Sequence, residues 1–371
     1  MEYFLFVLSA FVSLLIRIFH KSVIKEINRI LLIRLDHLGD MVLTLPALKN
    51  LRDNYPGAKI TLLTGSWDKS LFENYNLVDE VLTYDCSRYT RNKNEITTFK
   101  EKVSLFFQLR RINPEIIIGF RDDLFTVIIS FLLFPFKRLD RGSVRLKKKF
   151  SDMFVQIKPP ELHELETNGK IISSLITGYN EEPLGYFHFS EMEELSYNNL
   201  LNSIGLSDRY YAILHPGAAW IYRRWDYNNF IKTGEYLFKK YSMRSLIIGT
   251  PDELDTGKKI ADSNSGVFIN LIGLTTLRMS IQLIKSAKIV VCNDSSPMHL
   301  SSILQKNTIA LLGPQSIERF GPRGEKVIYF HKKVECFPCK QIICKYPKLP
   351  CVNLNSVDEV TNGIDILLNQ S

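Results

Sequence analysis

The chain has 371 residues and a formal net charge of +8 at pH 7, with 45% hydrophobic and 23% charged residues. This balance is typical of a folded globular protein and excludes a disordered chain. The length exceeds that of one ordinary hydrophobic core, so we expect two domains. The positive charge favours an anionic partner such as a nucleotide phosphate, a phosphorylated glycan or an anionic lipid surface. The sequence has no zinc finger, recognition-helix motif or RNA-binding motif, so we expect no nucleic-acid partner.

The first 28 residues form an apolar segment of their own. Residues 3–16 are all apolar or small, and basic residues follow at Arg17, Lys21 and Lys25. The apolar run is shorter than the roughly 20 residues that a membrane-spanning helix needs. It has neither the basic leading region nor the clear cleavage site of a signal peptide. Two interpretations stay open, a membrane anchor and a helix packed on the protein, and the basic residues would keep the following chain in the cytoplasm.

Short apolar runs alternate with helical patterns through most of the chain, which predicts alternating strands and helices. In the first half, strands are predicted at residues 30–35, 59–64, 78–84 and 115–119. The alternation restarts in the second half, with strands predicted at residues 211–214, 246–249, 267–270, 289–293 and 308–312. Such an alternation is typical of parallel sheets, which bind ligands at the carboxyl ends of their strands.

The order of these elements predicts an α/β protein of two Rossmann-like domains that face each other across a cleft. We expect an N-terminal domain at residues 29–190 and a C-terminal domain at residues 208–371, joined by an acidic, partly helical connector at residues 191–207. The apolar run at residues 124–136 is predicted to be a core helix, because it is too short to span a membrane. The basic segment at residues 137–149 is either a solvated loop or a contact with a membrane surface.

The first motif with chemical potential is Leu38-Gly39-Asp40, directly after the first predicted strand. Gly39 would let another molecule approach the backbone closely, because it has no side chain. Asp40 would stand at the start of a helix and face the ligand edge of the sheet, where a carboxylate can act as a general base. The alternative is that Asp40 only caps the helix, since aspartate is a favoured capping residue.

A second motif, His215-Pro216-Gly217, follows the first strand of the second half, and the adjacent pair Arg223 and Arg224 comes shortly after it. Gly217 permits close backbone approach, and two guanidinium groups could clamp a diphosphate through charge-assisted hydrogen bonds. These five residues are therefore candidates for binding a phosphorylated ligand. The alternative for the arginines is ordinary exposure on the surface.

A third motif places Asp294, Ser295 and Ser296 at the start of a helix that continues through His299. These residue types are expected at a helix start, and the same geometry directs a helix N-terminus at an anion. His299 is either part of this phosphate site or a buried structural imidazole. The sequence has no dinucleotide-binding glycine motif, phosphate-loop lysine or Asp-x-Asp motif. The lack of Asp-x-Asp favours stabilisation of a leaving group by cations and helix dipoles over a divalent metal.

Taken in order along the chain, these motifs resemble the ADP-heptose:lipopolysaccharide heptosyltransferases, glycosyltransferase family 9. The resemblance extends from about residue 29 to the end of the chain. Its blocks are residues 30–35, 38–40, 45–48, 56–60, 163–164, 214–218, 224–225, 249–253, 293–295, 297–300 and 313–314. It implies a GT-B fold, in which the N-terminal domain binds the acceptor and the C-terminal domain holds most of the sugar nucleotide.

The resemblance also implies roles for single residues. Asp40 matches the proposed catalytic base of the family, which takes a proton from the acceptor hydroxyl while that oxygen attacks the anomeric carbon and inverts its configuration. Asp294 and His299 match the donor-site block, in which backbone N–H groups near Ser295 and Ser296 would hold the diphosphate.

This chain departs from the family pattern at three positions. Arg223 stands where relatives usually carry a phosphate-contacting lysine, which keeps the charge and changes its geometry. Ser296 stands where the family favours glycine, and Met279 where relatives often have glutamate. These departures bear on the donor, for which the resemblance implies ADP-heptose.

The function implied by the resemblance is metal-independent transfer of heptose, or a related sugar, from an ADP-sugar to a lipopolysaccharide core or another surface glycan. A lipid-linked glycan acceptor places the enzyme in the cytoplasm, peripheral to or anchored at the inner face of the cytoplasmic membrane. Two alternatives stay open: a sugar-nucleotide epimerase, which can share the two-domain architecture, and a non-catalytic relative that binds a glycan or nucleotide sugar.

The tail of the chain carries four closely spaced cysteines, Cys336, Cys339, Cys344 and Cys351. A similar tail is seen in many members of the family. Four sulfurs at this spacing could bind a structural zinc ion, and the prolines among them equally suggest a rigid loop of free thiols. No cofactor is expected for catalysis in either case.

Overall fold

The computed structural model describes residues 26–85, 98–121, 123–133, 135, 137–142, 153–156, 162–179, 187–206, 208–337, 339 and 343–369. The chain divides into two compact units, residues 1–182 and 183–371. The predicted apolar segment at residues 1–28 lies almost wholly outside the described residues, so both interpretations of it stay open. Within the described part of the chain, no helix is both long enough and apolar enough to cross a membrane.

The first unit contains a six-stranded parallel sheet in the order β3-β2-β1-β4-β5-β6. Its strands are β1 Arg29–Ile33, β2 Lys59–Thr64, β3 Glu80–Thr83, β4 Ile116–Gly119, β5 Lys137–Gly142 and β6 Met153–Gln156. Its helices are α1 Leu38–Val42, α2 Leu45–Asn54, α3 Phe99–Ile112, α4 Leu124–Leu132 and α5 Glu164–Ile172, and a 3₁₀ helix spans Ser66–Phe72.

The second unit contains another six-stranded parallel sheet in the order β12-β11-β10-β7-β8-β9. Its strands are β7 Tyr211–His215, β8 Arg244–Ile247, β9 Phe268–Asn270, β10 Ile289–Asn293, β11 Thr308–Leu312 and β12 Val327–His331. Its helices are α6 Glu191–Ser203, α7 Tyr227–Tyr241, α8 Leu254–Ser263, α9 Leu277–Ser286, α10 Ser296–Ile303, α11 Ile317–Phe320 and α12 Val357–Asn369. Short 3₁₀ helices span Ile221–Arg223, Pro251–Glu253 and Cys351–Leu354.

The central strands are apolar along their whole length because both faces of each sheet are covered. In the first unit, Leu31 and Ile33 of β1 pack with Ile117 of β4 in one core cluster. In the second unit, Leu214 of β7 and Val291 of β10 are members of another. These strands form the middle of each sheet, and their registers hold the loops that follow them side by side.

Both sheets have the same topology, in which the strand order reverses between the first and fourth strands. The reversal lies between β1 and β4 in the first unit and between β7 and β10 in the second. In open parallel sheets, ligands bind outside the carboxyl ends of the strands at this point. The predicted motifs at Asp40, His215 and Asp294 all follow one of these four strands, so the α/β class and the placement of the motifs are confirmed.

The basic segment at residues 137–149 differs from both of its predicted forms. Its first part is the strand β5, which pairs in parallel with β4. Arg138, Asp140 and Arg141 of this strand are buried. A charged strand can enter the sheet here because Arg141 forms a buried bidentate pair with Glu164. The prediction of a loop or membrane contact was therefore wrong for this part, and residues 143–149 lie outside the described residues.

The predicted core helix at residues 124–136 is confirmed as α4, whose residues Val127 and Ile129 are buried. The helical part of the predicted connector is also present, as α6. The division of the chain at residues 182 and 183 differs from the boundaries that we expected at residues 190 and 208. Helix α6 belongs to the second unit because Glu193 pairs with the buried Arg278 of α9.

Candidate active site

Asp40 lies in the first turn of α1, just beyond the carboxyl end of β1. It is the third residue of the helix, whereas the capping position is taken by His37, which makes no capping hydrogen bond through its side chain. The carboxylate is one-quarter exposed, and its Oδ1 lies 3.4 Å from Nη2 of Arg34. Asp40 therefore forms an ion pair and does not act as the cap of this helix, and its partial exposure leaves the carboxylate accessible to a ligand.

The helix start around Asp40 is held in place from two sides. Gly39 is the second residue of α1, and its carbonyl accepts a hydrogen bond from Leu43 N at 3.1 Å. The Thr44 hydroxyl donates to the Asp40 carbonyl at 2.8 Å. The buried amide of Asn168 donates to Leu43 O at 3.0 Å and reaches the Thr44 hydroxyl at 3.2 Å. These bonds tie the segment that carries Asp40 to α5.

Arg34 is the main cation beside Asp40, and its side chain is only 2% exposed. Its Nε lies 3.1 Å from Asp36 Oδ2, as an ion pair without hydrogen-bond alignment. Its Nη1 donates to the carbonyl of Phe120 in a short hydrogen bond, and its Nη2 lies 3.6 Å from Glu164 Oε2. A buried guanidinium needs such compensation, because an unpaired charge in the interior is costly.

The two other carboxylates around Arg34 each pair with a second arginine. Glu164 accepts from both terminal nitrogens of Arg141, at 2.5 and 2.8 Å. Asp36 forms a close ion pair with Arg121, whose Nε also lies 3.1 Å from Asp123. A network of alternating charges therefore crosses the carboxyl ends of β1, β4 and β5.

Asp68 is a further carboxyl group near this network, and its side chain is fully buried. The Thr64 hydroxyl donates to its Oδ2 at 2.8 Å. Burial raises the pKa of Asp68 to about 8, and the charge of Asp40 adds to the rise, whereas Thr64 and Arg34 lower it. Asp68 is therefore protonated and uncharged at neutral pH. It does not place a second negative charge near Asp40.

His215 ends β7 and is almost fully buried. Its Nδ1 lies 3.1 Å from the hydroxyl oxygen of Ser295, and its Nε2 lies 3.7 Å from Glu253 Oε2. Glu253 is also buried, and it accepts a hydrogen bond from Thr250 N at 2.9 Å. The imidazole thus connects the loop after β7 to the loops after β8 and β10.

The position of the Glu253 side chain requires a residue without a Cβ atom at position 217. A Cβ atom at Gly217 would lie only 1.9 Å from Glu253 Oε1. The carboxylate of Glu253 thus packs directly beneath the backbone of the His215-Pro216-Gly217 loop. The predicted close approach at Gly217 exists, and in this structure the group that approaches is a carboxylate of the protein itself.

Asn293 joins the two central loops of the second unit. Its side-chain amide donates to Pro216 O at 2.8 Å, and its Oδ1 accepts from Trp225 N at 3.1 Å. Trp225 is buried, and its Nε1 donates to Asn355 O at 2.9 Å. The backbone directly after Arg224 is therefore fixed both to β10 and to the segment that precedes α12.

Arg223 is the last residue of the 3₁₀ helix that follows the loop after β7, and Arg224 is the next residue. Arg223 has its Nη1 3.4 Å from Asp294 Oδ2, and its Nη2 donates to Gln315 Oε1 at 2.9 Å. Burial raises the pKa of Asp294, and the charge of Arg223 opposes the rise. Arg224 donates from Nε to Ala218 O at 3.0 Å. Both arginines are partly exposed and are held by the protein, so each charge is preorganised.

Helix α10 begins at Ser296, with Ser295 in the capping position but without a capping hydrogen bond from its side chain. The Ser295 hydroxyl donates instead to Asn293 O at 3.0 Å. His299 lies in the first turn of α10 and is buried. The structure thus brings His215, Asp294, Ser295 and the start of α10 together, as the sequence predicts.

Four residues of these sites received no role from the sequence. Arg34, Glu164 and Glu253 all fall within the family blocks, and Arg34 also stands as the one charged residue in the apolar run at residues 30–35. Asp68 lies in a short polar segment after β2, and nothing in the sequence distinguishes it from a surface aspartate. Its burial depends on tertiary packing.

The cysteine tail is described at Cys336, Cys339, Cys344 and Cys351, all of them partly buried. Burial raises the pKa of Cys351, and the neighbouring Cys336 and Cys344 thiols add to the rise. The thiols of Cys336 and Cys344 thus each lie within electrostatic range of Cys351. Across the residues with described positions, no three His, Cys, Asp or Glu side chains converge as metal ligands do. A zinc ion at this tail stays a prediction.

Comparison with known proteins identifies the family. The sequence model described as glycosyltransferase family 9 (heptosyltransferase) matches residues 104–349, which is more than half of the chain. Lipooligosaccharide heptosyltransferase 2 of Campylobacter jejuni subsp. jejuni serotype O:2 is 23% identical over 341 residues, which cover 90% of this chain and 96% of the relative.

Two solved structures have the same fold. The glycosyl transferase family 9 protein of Veillonella parvula DSM 2008 superposes with a TM-score of 0.78 at 21% identity, over 93% of this chain and 98% of that protein. The ADP-heptose lipopolysaccharide heptosyltransferase II of E. coli superposes with a TM-score of 0.70 at 18% identity, over 92% of this chain and 99% of that protein. These likenesses confirm the predicted GT-B fold class.

Proposed function

This chain belongs to glycosyltransferase family 9, the heptosyltransferases, and we propose that it transfers heptose, or a related sugar, from an ADP-sugar to a lipopolysaccharide core or another surface glycan. The observation that carries the proposal is the accessible Asp40 carboxylate, set beside a buried arginine at the strand-order reversal of a family 9 fold. Two of the relatives compared above are named as a lipooligosaccharide and a lipopolysaccharide heptosyltransferase, which supports this acceptor class.

Asp40 is the proposed general base. Its carboxylate takes the proton of an acceptor hydroxyl while that oxygen forms a bond to the anomeric carbon of the sugar. The bond from this carbon to the diphosphate breaks, and ADP leaves with the electron pair. Attack opposite the leaving group inverts the anomeric configuration. A well-placed general base contributes about 10²- to 10⁴-fold to such a step.

The second unit is proposed to hold the donor. Backbone N–H groups of Ser295 and Ser296 at the start of α10 would bind the diphosphate, because a helix N-terminus favours negative charge. Arg223 and Arg224 would stabilise the charge that develops on the leaving ADP. His299 is proposed to border the same site. These cations support a reaction that needs no divalent metal.

Transfer to an isolated acceptor tests the proposal. The purified full chain is incubated with ADP-heptose, or with another sugar nucleotide, and a truncated lipid-linked glycan, and the products are analysed by mass spectrometry. We expect the acceptor to gain one heptose, with inverted anomeric configuration by NMR and unchanged turnover in EDTA. Asp40→Asn should lower kcat about 10³-fold. Asp53→Asn, which removes an exposed carboxylate paired with Lys49, is the matched control and should leave kcat unchanged.

The alternatives give different products in the same assay. An epimerase changes the donor sugar in the absence of any acceptor, and a non-catalytic relative binds the nucleotide sugar without turnover. The family match favours the transferase over both. Because the acceptor is lipid-linked, the enzyme is proposed to work at the cytoplasmic face of the membrane, and co-sedimentation with anionic vesicles tests that placement.

A further inference from the structure

Arg34 joins several segments of the first unit, and the motif in which it lies gives no role for it. Its guanidinium is buried and touches groups from four separate segments: Asp36 after β1, Asp40 in α1, Phe120 after β4 and Glu164 in α5. A buried arginine with contacts to four segments is fixed in one orientation. Its orientation is set by the fold before any ligand binds.

We propose that Arg34 is a positioning residue for Asp40. The charge of Arg34 holds this carboxylate in place, whereas the other two acids around Arg34 also pair with Arg121 and Arg141. This inference rests on the proposed function of Asp40 as the base. It adds that the ion pairs of Arg34 hold the Asp40 carboxylate in the position needed for proton transfer.

The three acids around Arg34 differ in whether they have a second cationic partner. Glu164 lies 3.6 Å from Arg34 Nη2, but both of its oxygens are hydrogen-bonded to Arg141 at 2.5 and 2.8 Å. Asp36 lies close to Arg34 Nε, yet it also forms an ion pair with Arg121. For Asp40, by contrast, Arg34 at 3.4 Å is the one cationic partner among the residues that the structure describes.

The nature of the side chain suits this task. A guanidinium stays protonated at every pH that a protein tolerates, so Arg34 can neither donate a proton to the substrate nor accept one from it. Its planar group contacts Asp36, Phe120 O and Asp40 along different edges at once, which a lysine ammonium cannot do. Displacement of a reacting group by about 1 Å can lower a rate 10²-fold. Loss of Arg34 should therefore act mainly on kcat.

A double-mutant cycle tests the inference on the full-length protein. We expect Arg34→Gln to lower kcat 10- to 100-fold while the KM values of donor and acceptor change less than threefold. In an Asp40→Asn background, Arg34→Gln should change the residual kcat less than threefold, because there is no longer a carboxylate to position. A purely structural role would give the same fold-loss in both backgrounds, and that result would overturn the inference.

Controls separate positioning from folding. Arg52→Gln removes another ion pair of the same unit, to Asp79, and should leave kcat unchanged. Arg34→Lys should lower kcat less than Arg34→Gln does, and it replaces Arg34→Gln in the cycle if circular dichroism shows that the glutamine variant is unfolded. Wild-type kcat in a folded Arg34→Lys variant would overturn the inference.

The cycle also distinguishes failure of this inference from failure of the proposed function. If Asp40→Asn keeps full kcat, or the wild type shows no transfer, Asp40 is not the base and both fall together. If Asp40→Asn is inactive but the effect of Arg34→Gln is multiplicative, the base assignment stands and only the positioning role is lost.

Discussion

The Nδ1 atom of His215 lies 3.1 Å from the hydroxyl oxygen of Ser295, within hydrogen-bond distance. The Ser295 hydroxyl also donates to Asn293 O at 3.0 Å. The Nε2 atom of His215 then faces Glu253. These contacts link the end of β7 to the start of α10.

Removal of this imidazole should destabilise the protein. His215→Ala removes the imidazole that lies between Ser295 and the buried Glu253, and we expect a loss of about 2 kcal/mol in the free energy of unfolding. Ser295→Ala removes the hydroxyl alone and should cost about 1 kcal/mol. Urea denaturation measures both. Equal losses for the two variants would show that Glu253 does not depend on His215.

A methyl group at Gly217 should be poorly tolerated. Its Cβ would lie 1.9 Å from Glu253 Oε1, so Gly217→Ala must displace either the carboxylate or the loop, at a cost of about 2 kcal/mol in unfolding free energy. Gly57→Ala is the matched control, because no heavy atom lies within 4 Å of a Cβ there. The control should change stability by less than about 0.5 kcal/mol. A Gly217→Ala variant as stable as the control would contradict the packing described here.

Arg223→Ala should weaken donor binding. The substitution removes one of the two cations proposed for the diphosphate and leaves the buried Asp294 without its ion pair. We expect the KM for the nucleotide sugar, and the Kd for ADP by calorimetry, to rise about tenfold or more. Arg223→Lys should recover part of the loss. Arg209→Ala, at an exposed arginine of the same unit bonded to Asn198, should leave both constants unchanged.

The pH dependence of stability should carry a signature of Asp68. The pKa of this group is raised to about 8 in the folded protein, whereas an unfolded aspartate titrates near its ordinary value of 3.8. Between these two values the folded state binds a proton that the unfolded state has lost, so stability falls as pH rises from about 4 to 8 and levels off above.

Asp68→Asn tests this signature directly, because asparagine has the same shape and no titration, and its side-chain oxygen can still accept from Thr64. The variant should lose less stability than the wild type between pH 4 and pH 8, as measured by the urea midpoint. Parallel curves for the two proteins would show that Asp68 is ionised in the folded state.

The fold was predictable to the extent that apolar runs mark strands. Nine of the strands follow from short apolar segments, and the order of the motifs follows from their place after those strands. The strand β5 was missed because its sequence, Lys137 to Gly142, carries alternating charges and resembles a surface loop. The pair between Arg141 and Glu164 compensates one of its buried charges, and these two residues are 23 positions apart in sequence.

The candidate sites were predictable in part for the same reason. Asp40, His215 and Asp294 stand directly after buried strands, so local sequence is sufficient to place them. Glu253 and Asp68 are different, because their roles depend on contacts made across loops. The glycine at position 217 hinted at a close approach, but the sequence could not show that Glu253 is the group that approaches.

Trp225 connects the arginine pair to the far end of the chain. Its indole is bonded to Asn355 O, and the next residue, Asp226, donates from its backbone to Asn353 Oδ1 at 2.8 Å. Asn353 and Asn355, which follow the cysteine tail in sequence, thus hold the backbone next to Arg224 in place. We expect a deletion that removes Asn353 and Asn355 to weaken binding of the nucleotide sugar, although neither residue belongs to the proposed donor site.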